Sequence, residues 1–266
     1  MSVETAMLFS WLKNRRRRKI LAEPFAEAWL NILRAQVGHY SVLNDAEQRK
    51  LQDAVQIMLA EKGWEGCRGL ELTDARRVVI AALAAVLVLG FDDFYFDNVQ
   101  TILVYPNAFI VKEERAIDGG ASLVEEDDSL GIAAHRGPIV LSWAELEENA
   151  ASPGEGFNLV FHEFAHKLDA LNGAMDGTPN LPTDDLAQRW AALMNVEFRK
   201  LQRAERTGRE TLLDPYGASD PAEFFAVATE CFFDAPQAMA STYPQMYALF
   251  REYYRQDPAA WRPFFV

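Results

Sequence analysis

Residues 78–89 form the most apolar stretch of the chain, with the sequence VVIAALAAVLVL. Twelve residues are too few to cross a bilayer, which requires about 20. A helix that is apolar on nearly every side must be buried, so the rest of the chain has to pack around it. Thr73 or Asp74 is a suitable first residue for this helix, and Gly90 predicts its end.

The composition predicts one globular unit around such a core. Half of the 266 residues are hydrophobic and 12% are aromatic, which excludes a disordered chain. The formal net charge of −13 argues against direct binding of nucleic acid, which requires a basic face. Two cysteines provide no disulfide framework, and no secretory signal is recognisable, so we expect a cytoplasmic protein.

The N-terminus carries a local basic run that contrasts with the acidic composition. Lys13 is followed by Arg15, Arg16, Arg17, Arg18 and Lys19. A solvated or frayed terminus is the favoured interpretation. The alternative is contact with an acidic partner or lipid head groups, because apolar residues precede the run. We therefore predict an N-terminal extension over residues 1–35 and a single domain over residues 36–266.

Periodicity and turn residues predict a mostly helical α+β fold with a small central mixed sheet. A capping box formed by Asn44 and Glu47 predicts the start of one helix. The turn at residues 106–107 indicates a hairpin, and an exposed loop should follow it. The predicted helices cover residues 44–62, 74–89, 156–171, 183–207, 221–233 and 236–255, and the predicted strands cover 99–105, 108–111 and 139–141.

Residues 162–166 read His-Glu-Phe-Ala-His within one of the predicted helices. Residues four apart share one face of a helix, so His162 and His166 can bind the same ion. Glu163 projects about 100° away around the axis, where it can act as a base on a water without ligating the metal. The alternative is a pair of surface histidines on an amphipathic helix.

A catalytic zinc site usually needs a third protein ligand, and the residues leave several candidates open. His39 and His135 qualify by residue type, but Glu223 and Glu230 are favoured because they share one face of a very apolar helix. A carboxylate buried there requires a partner such as a metal. Glu223 also has the spacing of a capping box with Asp220, which would explain it without a metal.

Two sequence segments resemble the Mlc titration factor A family of zinc metallopeptidases. They are HEFAHKLD, from residue 162 to 169, and YGASDPAEFFA, from residue 216 to 226. The likeness extends from about residue 40 to 258 and is weak or absent in the basic run. It implies a zincin-like fold, related in its catalytic core to anthrax lethal factor, with one zinc ion.

The resemblance also implies roles for individual residues and a partner. Glu223 becomes the third zinc ligand and Tyr216 the active-site tyrosine, while Asp169 and Glu230 become candidates for orienting the histidines. The family is described as an aminopeptidase that binds the transcriptional repressor Mlc. Lethal factor has a glutamate four residues after its ligand glutamate, where this chain has Val227.

The resulting hypothesis is a zinc metallopeptidase in which Glu163 is the general base and Tyr216 stabilises the oxyanion. Tyr216 is alternatively a turn residue packed against the core. Residues 139–142 could pair with an extended substrate or form an ordinary core strand. The main alternative function is a binding protein that sequesters a regulator and has weak or vestigial peptidase activity. A membrane-surface protein that uses the N-terminal segment is a third option.

Overall fold

The apolar segment forms the centre of the fold, as its composition predicts. A computed structural model describes residues 3–107, 137–151 and 156–261, with side chains for 11–107, 137–149 and 156–261. The apolar helix covers Asp74–Leu87, begins at its N-cap Thr73 and packs against the helix that carries the His-Glu-Phe-Ala-His motif. Its end is tightly covered, since a Cβ at Gly90 would lie 1.9 Å from the Tyr254 carbonyl oxygen.

Helices account for most of the described chain and largely match the predicted ones. The capping box is present, because Asn44 accepts hydrogen bonds from the amides of Ala46 and Glu47 while Glu47 reaches back to the Asn44 amide. The helices are α1 (Val3–Leu21), α2 (Glu27–Gln36), α3 (Gly38–Val42), α4 (Asp45–Glu61), α5 (Asp74–Leu87), α6 (Trp143–Ala151), α7 (Leu159–Asp169), α8 (Asp184–Thr207), α9 (Pro221–Asp234), α10 (Pro236–Thr242) and α11 (Pro244–Tyr254).

A three-stranded sheet lies beside the motif helix. Its order is β1 (Gly63–Gly66), β2 (Thr101–Tyr105) and β3 (Ile139–Ser142), and both pairings are parallel. Strand β1 was not predicted from the sequence, because its four residues include two glycines and lie between two predicted helices. The expected mixed sheet included a hairpin with a second strand at residues 108–111. That strand and the predicted loop lie outside the described residues. The architecture is the predicted one, mostly helical with a small sheet.

The prediction of one continuous helix over residues 236–255 was wrong. The chain forms α10 and α11, which are separated at Tyr243, where φ is −127° and ψ is 59°. Proline has no amide hydrogen, and it disfavours helical backbone in the residue before it, so Pro244 starts a new helix. This signal was present in the sequence.

The basic run lies in α1 and is not uniformly solvated, so that part of the favoured interpretation was wrong. Arg17 is only 5% exposed. Its guanidinium binds the Glu61 carboxylate at 2.7 Å and also contacts Asp97, so it joins α1 to α4 and to the segment before β2. The neighbouring Arg16 and Arg18 are exposed. Searching the described helices for a membrane-crossing segment reveals none of sufficient length and apolarity.

Candidate metal centre

The motif helix α7 is held in the middle of the fold by its local sequence. The Asn158 side chain accepts a hydrogen bond from the Phe161 amide, which caps the first turn, and the helix begins three residues later than predicted. Phe161, Phe164 and Leu168 are fully buried. Because α7 packs against β3, α5 and α9, it has little freedom to rotate or shift.

The two histidines of α7 face the same point. Their Nε2 atoms lie 3.1 Å apart, which is the arrangement that the four-residue spacing predicts. Both residues are buried, with His166 almost completely enclosed. The interpretation as a pair of surface histidines is therefore wrong.

Glu223 reaches the same point from α9. Asp220 caps α9 by accepting hydrogen bonds from the amides of Ala222 and Glu223, so half of the predicted capping box forms. The Glu223 side chain turns instead toward α7, where its Oε2 lies 2.9 Å from His162 Nε2 and 3.5 Å from His166 Nε2. Of the alternatives left open, the structure places Glu223 with the histidines.

These three residues fit a tetrahedral metal ion. The three ligand atoms lie within 4.8 Å of one another. Zinc–ligand bonds of about 2.0–2.1 Å place tetrahedral ligands roughly 3.3 Å apart, close to the separations in this cluster. Glu223 Oε2 is buried against the two imidazole nitrogens, and a buried carboxylate is costly unless donors or a cation bind it. Nitrogen and carboxylate donors are those that zinc accepts.

The charged groups of the site shift one another's pKa values strongly. Burial lowers the pKa of His162, but Glu223 and Glu230 outweigh this effect and raise it to about 10. Burial raises the pKa of Glu223, but the two histidines outweigh it and hold this pKa well below its ordinary value. A metal ion entering the site would therefore replace a proton on His162.

Glu163 and Tyr216 lie beside the three ligand residues. Burial raises the pKa of the Glu163 carboxylate above its ordinary value. The Tyr216 ring centroid lies 6.0 Å from that of His162. Tyr216 is 59% exposed, so its interpretation as a residue packed against the core was wrong. Burial and the negative charge of Glu223 raise the pKa of its hydroxyl to about 12, so the hydroxyl keeps its proton near neutral pH.

Glu230 and Asp169 are the two further acids that the family resemblance implies as partners of the histidines. Glu230 Oε1 lies 2.7 Å from His162 Nδ1, on the side of the ring that faces away from Glu223. Asp169 accepts a hydrogen bond from the Gly177 amide through Oδ2, while its buried Oδ1 makes none. A role for Asp169 as a partner of His166 stays a prediction.

Of the other histidine candidates, His39 is not part of this cluster. His39 belongs to α3, and its Nε2 lies 3.3 Å from the Phe233 carbonyl oxygen. Burial lowers its pKa to about 4, so this ring is neutral near physiological pH. His135 lies outside the described residues, as do the acidic residues 125–128.

The sequence analysis missed Asn158 and Lys167. Asn158 is a typical N-cap residue, but the predicted helix began at residue 156 and passed over it. The Lys167 side chain is almost fully buried, and its ammonium group donates a hydrogen bond to the Gly137 carbonyl oxygen at 2.8 Å, two residues before β3. A lysine directly after the second histidine gave no signal that it would be buried.

A helix with the His-Glu-x-x-His pattern, joined by a glutamate from a second helix, is typical of one class of zinc-dependent peptidases. The family model described as glucose-regulated metallo-peptidase M90 matches residues 11–255, and this chain belongs to that family. The matched range includes part of α1 and all of the candidate metal centre.

Named relatives agree with this assignment. Mlc titration factor A of Serratia proteamaculans is 37% identical over 223 residues, covering 83% of this chain and 84% of the relative. Mlc titration factor A of Yersinia pestis is 33% identical over 253 residues, covering 94% and 90%. An uncharacterised protein of Synechocystis is 36% identical over 246 residues, covering 91% and 89%.

Proposed function

We propose that this protein is a zinc-dependent peptidase whose metal ligands are His162, His166 and Glu223. The convergence of two imidazole nitrogens and one carboxylate oxygen at a single buried point carries this proposal. A zinc ion held there would act as a Lewis acid and lower the pKa of a bound water toward about 7. Three protein ligands leave a fourth position available for that water.

Glu163 is the general base in this proposal. It follows the first histidine directly, so it would lie beside a bound ion without ligating it. Its pKa, raised by burial, brings its basicity closer to neutral pH than that of an exposed glutamate. Glu163 takes a proton from the attacking water and passes it to the leaving amine.

Tyr216 donates a hydrogen bond to the oxyanion that develops on the scissile carbonyl. Its ring centroid lies 6.0 Å from that of His162, and its hydroxyl stays protonated, as a donor must. The short 3₁₀ turn Pro215–Ala218 that carries it is capped by Asp214, which accepts a hydrogen bond from the Tyr216 amide. The described sheet ends at β3, where an extended substrate could pair.

We propose aminopeptidase activity as the finer specificity and a repressor of the Mlc type as a partner, with the protein acting in the cytoplasm. The name that the Serratia and Yersinia relatives carry supports the partner proposal. The competing function is a regulator-binding protein with weak or vestigial peptidase activity. Both functions allow a metal, so metal content alone does not separate them.

Metal content and turnover of purified protein test the proposal together. Wild type should carry about one zinc per chain, and His162→Ala, His166→Ala and Glu223→Ala should lose it. Full zinc occupancy in any of these variants would refute its ligand role. If Glu223→Ala alone retains zinc, Glu223 is not a ligand, and Glu230 and His135 become the next candidates.

Two matched chromogenic substrates test the specificity. A peptide with a free amino terminus should be cleaved, and a chelator should abolish the cleavage. The same peptide with an acetylated amino terminus should be cleaved far more slowly by an aminopeptidase. Equal rates on the two substrates would indicate an endopeptidase. No cleavage of any peptide, with repressor binding intact, would favour the regulator-binding function.

A further inference from the structure

Two more acidic side chains of α9 are buried behind the candidate metal centre. Glu230 is 1% exposed and Asp234 is 6% exposed. Burying a carboxylate is costly unless hydrogen-bond donors or cations surround it. Both carboxylates are directed toward Asn158, the residue that caps the motif helix α7.

Glu230 binds two donors at once. Its Oε2 accepts a hydrogen bond from the Asn158 amide at 2.5 Å, and its Oε1 lies 2.7 Å from His162 Nδ1. A carboxylate in contact with an amide hydrogen acts as an acceptor, so the Nδ1–H of His162 donates to it. With Nδ1 held as the donor to Glu230, displacement of the Nε2 proton leaves the Nε2 lone pair available, as a metal ligand requires.

The position of Glu230 in α9 explains how one helix supplies both a proposed metal ligand and a carboxylate that contacts the far side of the His162 ring. Glu230 follows Glu223 by seven residues, which is about two helical turns, so both side chains leave the same face. Glu223 reaches the Nε2 side of the His162 ring and Glu230 reaches the Nδ1 side. The ring is therefore held between two carboxylates of a single helix.

We propose that Glu230 is a positioning residue that sets the tautomer and ring orientation of His162 for metal binding. This inference rests on the proposed metal site. It assigns to Glu230 a role distinct from the docking of α7, which Glu230 shares with Asp234. Carboxylates that orient a metal-ligating histidine typically account for a 10–100-fold difference in metal affinity or activity.

Asp234 provides the matched control. It lies on the same helix and is also buried, and its carboxylate makes a hydrogen bond to the Asn158 side chain. Its Oδ1 lies 3.5 Å from His39 Nε2. Within the part of the chain that the structure describes, Asp234 thus contacts Asn158 and His39, whereas Glu230 contacts Asn158 and His162. A change at Asp234 tests the docking of α7 without touching the ligand.

The experiment compares zinc affinity in Glu230→Gln and Asp234→Asn by competition with a chromogenic chelator. A glutamine offers one acceptor oxygen where two donors require one each, so either His162 or Asn158 loses its partner. Glu230→Gln should bind zinc about 10–100-fold more weakly than wild type. Asp234→Asn should stay within about twofold of wild type, because it leaves His162 supported.

A spectroscopic measurement separates orientation from general damage. The visible absorption of the cobalt-substituted protein should change in Glu230→Gln and stay as in wild type in Asp234→Asn. Thermal unfolding identifies any variant that does not fold. If Glu230→Gln does not fold, the same two measurements on Glu230→Asp decide the matter, since the shorter side chain keeps the charge and withdraws the carboxylate from the ring.

Two results would overturn the inference. One is wild-type zinc affinity and cobalt spectrum in the folded Glu230 variant. The other is an equal loss of affinity in Asp234→Asn, which would show that Glu230 acts only by docking α7. Failure of the proposed metal site has a different signature, because wild type itself would then bind no zinc.

Discussion

The N-terminal ion cluster and the candidate metal centre are both groups of charged side chains in the described part of the molecule, and they differ in completeness. The N-terminal ion cluster consists of Lys13, Arg17, Glu61 and Asp97. Arg17 donates to both acids, and the Lys13 ammonium group lies 3.0 Å from the Asp97 carboxylate. The charges of this cluster are balanced by opposite charges within it, so it needs no further ligand.

The candidate metal centre lacks this balance. Glu223 Oε2 is buried, and two imidazole nitrogens face it at separations that suit ligands of one metal ion. The comparison shows that a cluster of partly or fully buried charges is not by itself a functional site. A cluster of paired opposite charges supports the fold, whereas nitrogen and carboxylate atoms that converge on one point indicate a cation site.

The largest effect is expected when the proposed general base beside the candidate metal centre is replaced. Glu163→Gln should lower kcat/KM by about 10²–10⁴, the usual contribution of a general base, because glutamine keeps the volume and cannot accept the proton. Zinc per chain should stay at the wild-type value, since Glu163 is not a ligand. Equal rates for variant and wild type on every peptide tested would remove the peptidase proposal.

Tyr216→Phe should produce the next largest effect. Loss of one oxyanion donor costs about 10²–10³ in kcat, and we expect a smaller loss than in Glu163→Gln. Because Tyr216 is mostly exposed, thermal stability and zinc content should be unchanged. A variant with wild-type kcat would show that the tyrosine has no part in the chemistry, and a loss of zinc would place it among the residues that support the metal.

The pH dependence of zinc binding should be strong at the metal centre. His162 has a pKa of about 10 without metal, so zinc binding near neutral pH displaces a proton from it. Zinc affinity should therefore rise with pH, by about tenfold per unit for one displaced proton. Chelator competition at pH 6, 7 and 8, corrected for titration of the chelator, measures this slope. An affinity independent of pH would contradict it.

The smallest effect is expected at the N-terminal ion cluster. Arg17→Ala should lower the free energy of unfolding by about 1–2 kcal/mol, since it removes charged hydrogen bonds that are only partly shielded from water. Turnover on a short peptide should be unchanged. Urea unfolding measures the stability, and Arg18→Ala is the matched control, because that exposed arginine should change it by less than about 0.5 kcal/mol.

Equal unfolding free energies for the two arginine variants would show that the N-terminal ion cluster contributes nothing to stability. A large loss of turnover in Arg17→Ala would connect α1 to the candidate metal centre. The prediction that residues 1–35 form an extension separate from the domain would then need revision. Either result would weaken the contrast between the two clusters.

Features that depend on neighbouring residues could be predicted from the sequence. The capping box at Asn44, the helix that starts after Thr183 and the shared face of His162 and His166 all involve residues within about one helical turn. For the same reason the mostly helical fold could be predicted. The break before Pro244 was equally local, and it was missed only because the apolar pattern continues through it.

Pairings between distant residues were decided by the tertiary structure. Local spacing allowed Glu223 to be a cap or a ligand. The packing of α9 against α7 places it at His162, which is 61 positions away in the sequence. The same holds for Glu230, which meets His162 across 68 positions, and for Arg17, which pairs with Glu61 across 44. The sequence does not distinguish the four successive arginines from one another. Only Arg17 is buried among them, because it lies on the face of α1 that packs against the rest of the chain.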